Sequence, residues 1–142
     1  MAEMESTLKW MERLAIFSNA LDRLGNVIAL GRQHTLNEYE RDSLIKRFEF
    51  TYEMAWKLMM SYEKWSGIPQ ILGSRDVVRN ATMLGLVGNG EAWMDMIDAR
   101  NQSSHTYDEE MAIDLIDVIV HTHYPLLVEL RNKMEGIVNQ KK

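Results

Sequence analysis

From Ser6 to Leu30 the large apolar residues Trp10, Leu14, Phe17, Leu21, Leu24 and Ile28 recur at spacings of four and three. A helix with about 3.6 residues per turn gathers positions so spaced on one side, so the chain is expected to begin with a long helix that buries a single stripe. Gly25 weakens that helix by about 1 kcal/mol relative to Ala.

A second helix is predicted from Thr35, which can form a capping box with Glu38, through Leu44, Phe48, Thr51, Ala55, Met59 and Tyr62 to Trp65. Gly67 and Pro69 end it. Phe50, Met54 and Leu58 lie off its main stripe, so this helix belongs either at the centre of the fold or in a dimer interface, with Phe50, Met54 and Trp65 as interface candidates. Ser74 is the expected cap of a short third helix reaching Leu84. "GLVGNG" then reads as a turn, because no GK[ST] follows its glycines and no strand precedes them, and Asn89 caps a fourth helix reaching Arg100. The last helix begins near Tyr107 and carries Ala112, Leu115, Ile119, Leu126 and Leu130 on its apolar face. It should kink at Pro125, whose ring cannot donate to the carbonyl of His121. Eleven methionines and only two prolines agree with helices throughout. The expected fold is all-α, a four- to five-helix up-and-down bundle in which residues 1–142 form a single helical domain with a tail that frays from about residue 137.

With no cysteine, neither a disulfide framework nor a thiolate metal site can be built. The acidic start "MAEMESTLKW" lacks the features of a secretion signal, and no uninterrupted apolar run approaches the ~18 residues of a membrane span. The expectation is a cytoplasmic protein without membrane, metal or cofactor. A net charge of −5 argues against broad non-specific binding of nucleic acid, which depends on neutralising phosphates, and leaves room for a small basic pocket.

The segment "DARNQSSHTYDEE", residues 98 to 110, collects an Arg, an Asn, a His and a Tyr between two helices. On one continuous helix Arg100 and His105 would diverge by roughly 140°. Ser103 and Ser104, poor interior helix formers, supply a break, and Thr106 with Glu109 offers a capping box that restarts the chain as the last helix. His105 then precedes a helix N-terminus and Tyr107 sits on its first turn, where unpaired amides and the helix dipole welcome anions and disfavour a protonated imidazole. Arg100 can fork onto two phosphate oxygens, so these groups together make a phosphate site. A plainer arrangement is also open: Arg100 paired with Asp98 or Asp95, His105 bonded to a backbone carbonyl, and Asp108, Glu109 and Glu110 complementing the dipole.

Four segments, "RFEFTYEMAWK", "GSRDVVRNATMLGLV", "WMDMIDARNQSSHTYDEEMA" and "YPLLVEL", make the chain resemble the nucleotidyltransferase substrate-binding proteins. That family belongs to the wider HEPN group and is similar to the HepT toxins of HepT/MntA toxin–antitoxin pairs. Arg100, His105 and Tyr107 match the R-x4-H-x-Y form of the HEPN signature, and Asn101 supplies the polar residue that often follows the Arg. The resemblance implies a homodimer that sets two motifs side by side in a cleft. It further implies a metal-independent RNA endonuclease whose catalytic residues are Arg100, Asn101 and His105, paired with an MntA-like nucleotidyltransferase that silences it by adding AMP to Tyr107. The same resemblance supports an alternative, a non-catalytic subunit that binds a nucleotide or other substrate for the nucleotidyltransferase.

Arg75 and Arg79, four apart on the third helix, are candidates for flanking phosphates of RNA or a nucleotide, or for pairs with Asp76 and acids on another helix. His121 and His123 sit about 200° apart on a helix and cannot chelate one metal together; one is expected to be a partly buried hydrogen-bonder and the other solvated. Asp95 with Asp98, and Asp114 with Asp117, read as solvated acids.

Overall fold

The computed structural model describes residues 2–105 and 108–141. Its order is α1 (Ala2–Gln33), α2 (Glu38–Trp65), α3 (Ser74–Met83), α4 (Gly90–Gln102), a 3-10 turn (Ser103–His105), α5 (Glu109–Val118), a π-helical segment (Ile119–His123) and α6 (Tyr124–Lys141). Because α5, the π segment and α6 run on from one another, the described residues make five helical rods and contain no strand. The expected all-α bundle is therefore the observed one.

The predicted stripe of α1 is buried in full, from Trp10 to Ile28. Gly25, a weakness by propensity alone, has a packing reason: a Cβ there would stand 2.7 Å from the Tyr124 Oη of α6. α2 pairs along α1 and takes the central place, burying Leu44, Phe48, Ala55, Leu58 and Met59. Its buried Thr51 hydroxyl lies 2.6 Å from the Arg47 carbonyl and 3.2 Å from that of Ala20, tying the two helices together. Of the off-stripe residues, Leu58 is core, Met54 is half-buried against it and Phe50 is exposed. Trp65 packs at a tilt against Trp10 and Tyr62.

Three expected caps are placed differently. The box that opens α2 is Asn37 with Glu40, each side chain accepting the other's backbone N–H at 2.9 Å, instead of Thr35 with Glu38. Asn is the better N-cap, and the later start lets Leu36 fold in against Gly31. Ser74 is the first residue of α3, whose cap position is Gly73; the Ser74 hydroxyl lies beside the buried Tyr52 phenol instead. α5 is capped by Asp108, which accepts the Met111 N–H at 2.8 Å, while Glu109 pairs with Arg41 at 3.2 Å. Thr106 lies outside the described residues. Asn89 caps α4 as predicted.

Near Pro125 the backbone widens. Tyr124 N–H bonds to the Ile119 carbonyl five residues back, so the missing proline donor is absorbed by a π turn. The rod Glu109–Gln140 would span a membrane by length and composition. Its Leu127, Leu130 and Met134 are spent on the core, and α6 stays helical to Lys141 with Ile137 and Val138 packed on that core.

Three buried polar groups are held uncharged. The Glu63 carboxyl, fully buried between α2 and α3 with the Asn80 amide donating to it at 3.3 Å, is pushed up to about 8 by burial. Burial likewise pushes the Tyr52 phenol up to about 12, the Ser74 side chain pulling the other way. His123 stacks on Phe48 with ring centroids 5.6 Å apart, and neither ring nitrogen has a hydrogen-bond partner among the described residues. Burial pulls its basicity down, Asp95 opposing. His121 is the solvated one of the pair, 3.4 Å from Asp117, so the expected hydrogen-bonding role falls to neither core nitrogen of His123.

Glu63 keeps its proton in the fold where the unfolded chain has lost it, so its stabilisation is complete below about pH 4.5 and is lost as pH rises through about 8. Glu63→Gln should therefore raise stability at pH 9 by a few kcal/mol, roughly the sum of that shift, and change it little at pH 4, as urea unfolding at the two pH values will read. His123 acts in the opposite sense: its stabilisation holds above about 6.5 and falls away in acid. His123→Phe should flatten the acid limb of the same profile.

Candidate functional site

The expected break between α4 and the last helix exists, as a 3-10 turn over Ser103–His105. Arg100 and Asn101 occupy the last turn of α4, with Asn101 exposed, and exposed His105 closes the turn. Tyr107 lies outside the described residues.

Arg100 does not pair with Asp95 or Asp98. It reaches back to α2, where its Nη1 stands 3.2 Å from Glu49 Oε2 and its Nε 3.9 Å from Glu53 Oε1. The same Glu49 oxygen accepts the buried Ser103 hydroxyl at 2.9 Å, and that hydroxyl is also 2.7 Å from the Arg100 carbonyl. Glu53 uses its other oxygen on the Trp56 indole N–H at 3.2 Å. One carboxylate thus fixes both the arginine and the turn that follows it. Arg100 remains about 30% exposed, and it lines one end of an open groove between α1 and α2 whose volume is about 770 Å³.

Asp98 is taken by Arg75, whose Nη2 is 2.7 Å from Oδ1, a bond that ties α3 to α4. Arg79 pairs within its own helix with Asp76 at 3.6 Å and is well exposed. The charges of Arg75 and Arg100 both act on the Tyr52 phenol, so they border the same region. Among the described residues no three His, Asp or Glu side chains gather as a metal cage. Sequence reasoning missed Glu49 and Glu53, and found Ser103 only as a helix breaker, not as the hydroxyl that bonds Glu49. The two glutamates are four apart on α2 and share a face, but their partner is some fifty residues away, and no local pattern announces that meeting.

The fold is a helical bundle that carries Arg100 and His105 at the joint of its last two rods. The model of the nucleotidyltransferase substrate binding protein-like family matches residues 12–136, and the chain belongs to that family. It is 33% identical over 97 residues to a probable ribonuclease HepT of Haemophilus influenzae, across 63% of this chain and 66% of that one, just under two thirds of the relative's length. A solved Haemophilus influenzae structure, described as the fold of a substrate binding domain of a nucleotidyltransferase, superposes with a TM-score of 0.77 at 25% identity, covering 86% of this chain and 98% of the other. The tri-AMPylated HEPN toxin of Shewanella oneidensis, solved in complex with its MNT antitoxin, shares the fold with a TM-score of 0.67 at 20% identity, covering 89% and 96%.

The contacts of Glu49 generate a stability prediction. Glu49→Ala removes a half-buried partner from Arg100 and from Ser103 together and should cost on the order of 1–2 kcal/mol in chemical unfolding. Glu53→Ala, which loses a longer and more exposed contact, should cost less.

Proposed function

We propose that this chain is a HEPN-type toxin subunit that cleaves RNA without metal and is neutralised by an MntA-like nucleotidyltransferase partner. The observation that carries the reading is the joint at the end of α4, where Arg100 is held in place by α2 at the mouth of a groove, five residues before His105. The HepT relative and the family match support the class, and the toxin–antitoxin neighbours support the partner.

Metal-free cleavage uses the RNA itself. The 2′-hydroxyl attacks the adjacent phosphorus and yields its proton to a base; an acid protonates the leaving 5′ oxygen; and a cation holds the charge that builds on the phosphorane. The products are a 2′,3′-cyclic phosphate and a 5′-hydroxyl. One subunit offers one motif histidine, so the reaction calls for a homodimer in which His105 of one copy acts as base and that of the other as acid. Arg100 from each side holds the phosphorane, and Asn101 orients it. The exposed apolar residues Met111, Ile113 and Val118 on α5, which follows the motif directly, favour such pairing. Tyr107 is the residue the partner would modify with AMP, Arg75 and Arg79 would meet flanking phosphates once released from their carboxylates, and the setting is cytoplasmic.

The family description favours one alternative, a non-catalytic subunit that binds a nucleotide or other substrate for the nucleotidyltransferase. Incubating purified protein with total RNA in excess EDTA separates the two. Native protein should cut, and Arg100→Ala and His105→Ala, shown by circular dichroism to be folded, should lose at least about a hundredfold of the rate. Folded native protein as inert as both variants would leave the binding subunit standing instead.

A further inference from the structure

The groove that ends at Arg100 differs in charge from the chain around it. Arg23, Lys46, Arg47 and Arg100 line it with Glu49 and Glu53, four cations against two anions on a protein of net charge −5. Arg100 is held by both carboxylates, and the Arg47 Nη1 donates to the Arg23 carbonyl at 2.6 Å. Arg23 and Lys46 are exposed and have no ion-pair partner among the described residues. Between these cations the wall is apolar, with Phe50 53% and Ile16 49% exposed.

An exposed aromatic ring beside unspent cations suits an extended polyanion that carries flat apolar groups, which is the chemistry of a single-stranded nucleic acid. Every base has a face that can stack, and the backbone supplies the counter-charge. A second copy of the chain suits the groove less well. A twofold contact presents the same patch from both sides, so it would press one cation-rich lining against another with too few anions to meet them. The apolar residues of α5 offer a self-contact without that conflict.

We propose that the α1–α2 groove is the subsite for the single-stranded RNA segment flanking the cleaved phosphate, with a base stacked on Phe50 and backbone phosphates at Arg23 and Lys46. The assignment rests on the nuclease reading for the place of the cleaved phosphate at Arg100.

The test uses the full chain and a short fluorescent oligonucleotide of 2′-O-methyl RNA, which lacks the attacking hydroxyl, with anisotropy recorded over a range of salt in EDTA. Phe50→Ala should weaken binding about tenfold and Phe50→Trp should preserve it. The pair Arg23→Gln and Lys46→Gln should reduce the slope of log affinity against log salt by about 1.4, at about 0.7 for each phosphate on a single strand. All of these side chains are exposed, so the fold should tolerate the changes. Binding by Phe50→Ala as tight as native overturns the proposal. So does a loss of particle mass in sedimentation with unchanged affinity, which would make the groove a contact between copies. Cleavage of unmodified RNA by the same preparations keeps the two readings apart: impaired binding in the variants with no cleavage by native protein upholds the groove and removes the nuclease, and cleavage with unimpaired binding does the reverse.

Discussion

α2 has to face in two chemical directions at once. One side of it is the centre of the core, where Leu44, Phe48, Ala55, Leu58 and Met59 meet α1 and the later helices with almost no exposed surface. The other edge carries Lys46, Glu49, Phe50 and Glu53 to solvent along the groove. Close packing of the first side leaves the helix little freedom to rotate, because a core at crystal-like density forfeits many contacts for a small displacement. The groove edge is therefore presented at a fixed angle, and Glu49 is fixed with it. Since Glu49 holds both Arg100 and Ser103, the packing of α2 determines where α4 ends and where the turn bearing His105 begins.

The same packing explains why the core tolerates groups that want water. Glu63, Tyr52 and His123 all sit where burial favours their uncharged forms. His123 is the costliest of the three in unmet hydrogen bonds, and it occupies the π segment that makes room for Pro125. Widening the helix there turns the imidazole inward onto Phe48, the neighbour of Glu49 in sequence. The local departure from α geometry thus bears on the element that holds the site, and such departures are common near functional positions.

Much of the fold was legible because it is written in periodicity. The α1 stripe, the off-stripe residues of α2 that signal a central helix, the Asn89 cap and the break after Arg100 all depend on residues close in sequence, and each is present. The caps at Thr35 and Ser74 failed for a nearby reason: several residues in each stretch can accept an amide hydrogen, and packing of Leu36 and Tyr52 made the choice. The Arg100 to Glu49 contact was not legible: helix spacing turns Arg100 away from Asp95 and Asp98 on α4, but nothing local names a partner on another helix. Only the tertiary crossing of α4 over α2 supplies that partner, while Arg75 takes Asp98.

That choice of partner bears on what the arginine can do. A guanidinium offers five N–H donors in a fixed plane. Glu49 stands 3.2 Å from Nη1 and Glu53 3.9 Å from Nε, and the buried Nε has no hydrogen-bond partner among the described residues. The carboxylates therefore fix the plane of the side chain without exhausting its donors. Held as it is, Arg100 has lost most of the rotamer freedom that a long cationic side chain would otherwise surrender on meeting an anion, and its remaining donors are available to one.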